Sequence, residues 1–271
     1  MSRAATIGLF VGFGLFVLSI VLATDNILIF FSLPSLLLVL GGTLANAFIS
    51  YQPETVQTAL RDIARMFSRT PIDREVLQAD TRRVVEWARV VRVEGILSLE
   101  SRLDPGDVHD HMVQKGVMLV VDGWKPDDVR DLLQNHVESE YFRRTEQVPI
   151  LRNMAATAPA FGMVGTLVGL IIMLDNLSGD TQALGAGLAL ALLTTLYGVL
   201  LARLIFQPAA DKTLQRERFT RFRNYLLLEG FVLLAKGEMP RAVELKLNSY
   251  LDPANAVEVP RPAATSAPAG T

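Results

Sequence analysis

Two apolar segments decide the fold of this chain, AATAPAFGMVGTLVGLIIMLDNL at residues 155–177 and GAGLALALLTTLYGVLLARLIF at residues 185–206. Each segment is long enough to cross a bilayer as a helix, which takes about 20 apolar residues. A short polar turn at residues 178–182 separates them. We therefore predict two consecutive transmembrane helices within residues 154–208.

Small residues and threonines recur at helical spacing within both segments. Small side chains let membrane helices approach closely, and threonine hydroxyls add local hydrogen bonds. One interpretation is a tightly packed helix pair, and the other is the wall of a pore. The candidates for helix packing are Gly162, Gly165, Gly169 and Gly198. The candidates for an ion pathway are Pro159, Thr166, Thr194 and Thr195.

Composition excludes several classes of protein. Half of the 271 residues are hydrophobic and the mean hydropathy is +0.32, which argues against a soluble globular protein. The net charge of −2 leaves no basic footprint, so we expect no nucleic-acid partner. The chain has no cysteine, which excludes disulfides, thiolate metal sites and cysteine nucleophiles.

A second pair of apolar segments opens the chain, at residues 4–23 and 27–49. The alternative for the first of them is a cleaved signal peptide, with Arg3 before it and Ala23 at its end. Because its apolar run is longer than the roughly 7–15 residues of the apolar region in a signal peptide, we predict a retained helix. The link at residues 24–26 makes the pair a helical hairpin. Pro34 is tolerated inside it if neighbouring helices satisfy the freed carbonyl.

Charged, helix-favouring sequence fills residues 51–153 and 209–252. Neither region shows a strand pattern, so both are predicted to be helical. The apolar face of the first helix in the insert is predicted to contain Val56, Leu60, Ile63 and Phe67. Residues 253–271 are rich in Pro and Ala without periodicity, which is typical of disorder. The predicted fold is all-α, with four transmembrane helices and a helical cytoplasmic domain inserted between helices two and three.

Lysine and arginine predict the orientation in the membrane. They crowd residues 51–153 and the C-terminal region, whereas the links at 24–26 and 178–182 contain none. By the positive-inside rule, the insert and both termini are cytoplasmic. Arg203 then lies near the cytoplasmic end of its helix, where it can snorkel, and Asp175 lies near the outer end of the third helix.

Residues that carry catalysis are nearly absent. His109 and His111 lack a third ligand nearby, so we interpret them as part of a solvated surface rather than a metal site. No Gly-rich loop ends in Lys-Ser or Lys-Thr, so no nucleotide site is predicted. We expect neither an enzyme nor a cofactor. Because the middle of every apolar segment lacks an ionisable residue, a conducted cation would need a carboxylate from another subunit.

Three motifs carry a resemblance to a known family: APAFGMVGTLVGL at residues 158–170, LLTTLYG at residues 192–198 and PAADK at residues 208–212. They resemble the MotA/PomA family, the A subunits of bacterial flagellar stators, within the wider MotA/TolQ/ExbB channel superfamily. GILSLE at residues 95–100 and VVDG at residues 120–123 extend the match. TolQ and ExbB relatives have three spans, so the four predicted here favour the stator branch.

The resemblance implies partners and a location. Stator A subunits form a pentamer in the bacterial inner membrane, in contact with lipid and around a dimer of B subunits. Each B subunit has one membrane helix with an essential Asp and a peptidoglycan-binding domain. Ion flow past that Asp turns the A subunits against the rotor protein FliG.

The resemblance also implies roles for individual residues. Pro159 and Pro208 match the family's two prolines of conformational coupling, and Arg92 and Glu100 match its rotor-facing charges. Relatives often carry further acids just after the second charge, where this chain has Ser101 and Leu103. The rotor surface is therefore expected to be less charged.

The coupling ion is expected to be Na⁺, with H⁺ as the alternative. Thr166 resembles the sodium-driven members, and carbonyls freed near Pro159 are oxygen donors that alkali cations accept. The other interpretation is that the hydroxyls of Thr166 and Thr195 bond back to their own helix carbonyls. Two functional alternatives also stay open, a stator-like energiser of another envelope machine and a structural membrane scaffold.

Overall fold

A computed structural model of the chain describes residues 3–66, 74–102, 110–177, 181–252 and 257. Every regular element in these ranges is helical, which confirms the predicted all-α class. The α-helices are α1 Arg3–Ala23, α2 Leu33–Ser50, α3 Pro53–Arg65, α4 Arg74–Glu94, α5 His111–Val121, α6 Pro126–Thr145, α7 Gln147–Asp175, α8 Thr181–Leu200, α9 Gln207–Ala235 and α10 Pro240–Asn248. Two 3₁₀-helices, Ile27–Phe30 and Ile96–Arg102, and a π-helix, Leu201–Phe206, complete the list for the described ranges.

The helices form two compact units, each built from separate stretches of the chain. The first unit comprises Met1–Thr70 and Phe142–Glu217, and the second comprises Pro71–Tyr141 and Arg218–Thr271. The predicted divisions after residues 50, 153 and 208 mark changes of composition, so they do not coincide with these units.

Three helical runs in the described residues are long and apolar enough to cross a membrane, Ile27–Ser50, Pro126–Asp175 and Thr181–Ala235. The apolar part of the second run lies in α7, and that of the third run is α8 with the π-helix. Helix α1 adds an apolar helix of 21 residues, with Arg3 at its start. A membrane crossing by α1 stays a prediction.

The second apolar segment is interrupted, although the sequence predicted one helix over residues 27–49. A 3₁₀-helix ends at Phe30, and α2 begins after Ser32, whose side chain caps it by accepting from the Ser35 N–H. Pro34 therefore lies in the first turn of α2. The N–H groups of a first turn have no acceptor within the helix, so a proline there removes no helical hydrogen bond. The interpretation of Pro34 as an interior proline with a freed carbonyl is wrong for this reason.

The side chain of Tyr197 on α8 satisfies the backbone at this interruption. Its hydroxyl donates to the Phe30 carbonyl at 2.6 Å and accepts from the Ser32 N–H at 2.9 Å. Each unpaired backbone N–H or C=O group in lipid costs on the order of several kcal/mol. The Tyr197 hydroxyl therefore stabilises the interruption by pairing one group of each kind.

Helices α8 and α9 join without a break, although the sequence suggested an end at residue 206. The π-helix between them has a wider turn, in which the Gln207 N–H donates to the Ala202 carbonyl five residues earlier. Pro208, which has no N–H, follows this turn as the second residue of α9. The wide turn makes room for the proline ring, which would otherwise collide with the carbonyl of the preceding turn.

The core of the first unit combines apolar packing with buried polar groups. Helix α3 buries Val56 and Ala59 completely, and Leu60 and Ile63 pack against the same core with partial exposure. The predicted apolar face of α3 is thus centred about one residue away from the observed one. Phe67, the fourth member of the predicted face, lies outside the described residues, as do Leu103 and His109.

The predicted disordered tail, residues 253–271, also lies outside the described residues except for Val257. Val257 is buried, and it exchanges two hydrogen bonds of 2.9 Å with the side-chain amide of Asn248. At this position the chain is therefore held against α10.

The core of the second unit is built around Phe231. Its side chain is fully buried and stacks on Trp87 with ring centroids 5.9 Å apart. A Cβ at Gly116 would collide with the Phe231 ring, so the glycine lets α5 approach α9. An ion-pair cluster closes this core, in which Arg223 donates to Asp80 at 2.5 Å and contacts Asp110 at 2.7 Å.

Replacing Arg223 by Gln should destabilise the second unit. Asp80 is 1% exposed, and its carboxylate would lose its nearest cation. Removing one partner of a buried pair costs about 3–5 kcal/mol. Thermal unfolding of the detergent-solubilised protein should show a clearly lowered melting temperature.

The matched control is Arg218→Gln on the same helix. Arg218 is exposed and has no ion pair among the residues that the structure describes. Its replacement should leave the melting temperature unchanged, and equal melting temperatures of the two variants would contradict the assignment of Arg223.

Candidate functional site

Glycines bring the backbones of α7 and α8 into direct contact. A Cβ at Gly162 would lie 2.9 Å from the Thr194 carbonyl oxygen, and one at Gly198 would lie 2.7 Å from the Ala158 carbonyl oxygen. These neighbours are main-chain atoms, which cannot rotate away. The two helices therefore pack this closely only while both positions lack a side chain.

The same contact continues toward the far ends of the two helices. A Cβ at Gly169 would lie 2.5 Å from the Gly187 carbonyl oxygen, and one at Gly187 would lie 2.8 Å from the Gly169 carbonyl oxygen. At Gly165 the occupying group is the Thr194 side chain. The structure thus places all four predicted packing glycines in one interface.

Two further glycines pack as closely as the four predicted ones. They are Gly187 on α8 and Gly42 on α2, and neither is among the residues predicted for helix packing. A Cβ at Gly42 would collide with the ring of Phe161 on α7. A signal for Gly42 existed, because the pair Gly41–Gly42 interrupts an otherwise aliphatic segment.

Three threonine hydroxyls on α7 and α8 bond back to their own helices. Thr166 donates to the Met163 carbonyl at 2.6 Å, and Thr194 donates to the Ala191 carbonyl at 2.9 Å. Thr195 makes a longer contact of 3.5 Å with the same Ala191 carbonyl. This arrangement is the second of the two interpretations of the threonines.

The side chains of the three threonines differ in their exposure to solvent. Thr194 is fully buried, and its side chain fills the space beside Gly165. Thr195 is exposed and Thr166 is partly exposed. The Thr195 Cα would lie 3.1 Å from a Cβ at Gly162, one helical turn before Thr166, so Thr166 and Thr195 lie on neighbouring turns of the two helices.

Pro159 lies inside α7 and borders a cavity of about 330 Å³. Because proline has no N–H, the carbonyl of Ala155 one turn earlier loses its helical donor. The cavity is lined by Arg152, Ala155, Ala156, Pro159, Ala202, Arg203 and Gln207. It therefore lies between the proline of α7 and the π-helix that precedes Pro208.

The charges around this cavity are positive. Arg152 forms a 3.5 Å ion pair with Asp211, and both side chains are about half exposed. Arg203 is exposed and has no ion pair within the described part of the chain. Because no carboxylate is among the lining residues, the cavity itself offers a cation only neutral oxygen atoms.

Buried polar groups in the first unit were not predicted. Asp62 is 1% exposed, accepts from the Gln147 amide at 2.7 Å and lies 3.7 Å from Arg216. Asn46 on α2 donates to Asn153 on α7 at 3.0 Å. A signal existed for Asp62, because it lies three residues after Ala59 on the buried face of α3.

Arg92 and Glu100 lie on either side of one tight turn. Arg92 is in the last turn of α4, Gly95 has a φ of +87° that ends the helix, and Glu100 belongs to the following 3₁₀-helix. Both charged side chains are exposed, and neither has an ion pair within the described part of the chain. Both charges are therefore free to bind another molecule.

The histidine motif gives no metal site in the described part of the chain. His111 is exposed, and no group of three or more His, Cys, Asp or Glu residues is arranged for a metal ion among the described residues. Its predicted companion, His109, lies outside them.

Replacing Gly169 by Ala should disrupt the α7–α8 interface. The added methyl group would overlap the Gly187 carbonyl and the Ala191 backbone nitrogen, and neither atom can move without shifting α8. Overpacking of this kind costs about 1–3 kcal/mol, which a detergent melting curve measures. In the control variant Gly185→Ala, the new methyl meets nothing within 4 Å. If both variants keep the parental melting temperature, the close contact is not a source of stability.

Comparison with known proteins identifies the family. A profile of the MotA/TolQ/ExbB proton channel family matches residues 106–221. The chemotaxis protein PomA of Vibrio alginolyticus is 34% identical over 253 residues, which cover 93% of this chain and 96% of that protein. Motility protein A of Borreliella burgdorferi is 31% identical over 253 residues, which cover 93% and 95%.

A solved structure shares the fold. The MotAB structure from C. jejuni matches with a TM-score of 0.82 at 24% identity, over 93% of this chain and 97% of that chain. Together with the identity to PomA over nearly the whole of both proteins, these similarities show that the chain belongs to the MotA/PomA family of motility proteins.

Proposed function

We propose that this chain is the A subunit of an ion-driven flagellar motor stator. Relatives that match 93% of the chain carry the names chemotaxis protein and motility protein A, so a motility role is favoured over an energiser of another envelope machine. One observation carries the proposal beyond the family. A glycine-packed membrane helix pair borders a cavity at Pro159 without a carboxylate, so ion conduction needs a second subunit.

The second subunit has to supply the carboxylate that the lining of this cavity lacks. It is a B subunit with one membrane helix that bears a mid-membrane Asp, and with a domain that binds peptidoglycan. Solved relatives are MotAB complexes, which supports such a partner. The exposed apolar side chains of α7 and α8, such as Leu167 and Leu192 at 61% and 64%, offer surface to this helix, to lipid and to other A subunits of a pentamer.

The proposed topology has four crossings, formed by α1, α2, the apolar part of α7, and α8 with the π-helix. The links at residues 24–26 and 178–182 contain no Lys or Arg, so they lie on the outer side of the bacterial inner membrane, away from the cytoplasm. The insert between the second and third crossings and both termini are then cytoplasmic. In this orientation Arg203 lies at the cytoplasmic end of its crossing, where it snorkels.

Pro159 and Pro208 are the proposed points of conformational coupling. Pro159 lines the cavity directly, and Pro208 follows Gln207, which lines its other side. A π-helix and an interior proline both loosen the regular hydrogen bonding of a helix. A change of charge beside Pro159 would therefore move the helices where they resist bending least.

Na⁺ is the proposed coupling ion, and H⁺ is the alternative. The Thr166 hydroxyl donates its hydrogen bond to the Met163 carbonyl. The lone pairs of its oxygen therefore remain available as ligands for a cation. Together with carbonyl oxygen near Pro159, such ligands replace part of the water around Na⁺. Torque then passes to the rotor protein FliG through Arg92 and Glu100.

Expressed without a B subunit, the chain should conduct no ions and should not support swimming. The reason is the absence of an ionisable residue at membrane depth. Together with its B subunit, it should restore swimming to a bacterium that lacks its own stator A subunit. The control is a B subunit whose membrane Asp is replaced by Asn. An ion leak through the chain alone as large as through the pair would refute the proposed division of roles.

Swimming speed should rise with external Na⁺ at constant pH. Thr166→Ala should weaken this dependence, because it removes a hydroxyl ligand, whereas Thr166→Ser keeps the hydroxyl and should preserve it. A speed that ignores Na⁺ but collapses with a protonophore would mean that protons drive the motor.

A further inference from the structure

Two large apolar side chains project from the turn after α4. Val93 is 84% exposed and Leu97 is 73% exposed, which are the highest values for large hydrophobic side chains among the described residues of the second unit. The next is Leu245 at 60%. Neither Val93 nor Leu97 belongs to an apolar run long enough to cross a membrane, so lipid does not account for their exposure.

The turn is a defined structure rather than a frayed helix end. Gly95 takes a φ of +87°, and its carbonyl accepts from the Ser98 hydroxyl at 2.6 Å. Arg102 closes the turn by donating to both carboxylate oxygens of Glu94 at 2.8 and 3.1 Å. These contacts link the end of α4 to the 3₁₀-helix that contains Leu97.

Apolar side chains of the same turn point in opposite directions. Leu99 is fully buried in the core of the second unit, and Ile96 packs against that core. These inward residues anchor the turn, so the outward position of Leu97 follows from the fold. Val93 lies four residues before Leu97, in the last turn of α4, and is exposed as well.

Opposite charges flank the apolar pair. Arg92 is adjacent to Val93, and Glu100 lies three residues after Leu97. The neighbouring acid and base, Glu94 and Arg102, are already paired with each other. Within the described residues Arg92 and Glu100 have no such partner, so the surface presents one free cation and one free anion around an apolar centre.

We propose that Val93 and Leu97 form the apolar centre of the surface that contacts the rotor protein, with Arg92 and Glu100 as its charged rim. The proposal rests on the stator function proposed above, and it adds an apolar contact to the charges. The matching rotor face would carry an apolar patch bordered by an acid and a base. Exposed ion pairs contribute little to affinity, whereas a few well-packed residues near the centre of an interface contribute most of it.

The test of function is the double variant Val93→Asn with Leu97→Asn, expressed with the B subunit. We expect torque under high load to fall at least fivefold, while ion conduction by the A–B complex and its melting temperature stay as in the parent. Polar replacement should not unfold the protein, because neither side chain fills the core. The conservative variant Leu97→Met should keep torque near the parental value, and Leu245→Asn is the control for an exposed apolar residue elsewhere in the unit.

Crosslinking tests the contact independently of torque. The chain has no cysteine, so Leu97→Cys introduces a single thiol. We expect a thiol-reactive photocrosslinker on this residue to capture the rotor protein FliG in motile cells, and the same probe on Leu245→Cys to capture much less.

Several outcomes would overturn the proposal. They are parental torque in the double Asn variant, equal capture of the rotor protein from both cysteine positions, or capture of a second A subunit alone from position 97. Failure of the proposed function gives a different result, because the parent chain would then neither conduct ions with its B subunit nor restore swimming.

Discussion

Direct backbone contact between α7 and α8 is the constraint on which the membrane part of this protein depends. The Thr194 and Ala158 carbonyl oxygens occupy the space that side chains at Gly162 and Gly198 would fill. In lipid, the hydrophobic effect does not drive helices together, so close packing has to supply the attraction. The contact also fixes the rotation of each helix, and it leaves the Thr195 side chain exposed beside the packed backbones.

A second constraint is that the first unit pairs several of its buried polar groups with one another but has no negative charge in the lining of the cavity at Pro159. Asp62 has Gln147 and Arg216 nearby, and Asn46 has Asn153. The cavity has two arginines in its lining and no acid. Such an asymmetry is intelligible in a subunit that completes its site only with a partner.

The sequence predicted the apolar helices and the glycine interface because both depend on periodicity, which is local. It did not predict the interruption before α2, where the freed backbone groups are paired by the hydroxyl of Tyr197, which is 165 residues away from Ser32. The π-helix was missed for a related reason, because nothing in Leu201–Phe206 distinguishes a wide turn from an α-helix. The threonines allowed two interpretations, and the hydrogen bonds of the isolated chain match the local one. Arg92 and Glu100 were found through family resemblance, while the exposure of Val93 and Leu97 required the structure.

The hydrogen bonds of Tyr197 have a consequence for the order of synthesis. The apolar segments at the N-terminus leave the ribosome first, and the backbone groups of Phe30 and Ser32 lack their partner until α8 has been made. The interruption before α2 therefore gains these two hydrogen bonds only after α8 has been synthesised and has packed beside it, so an early part of the chain depends on a helix that is made much later.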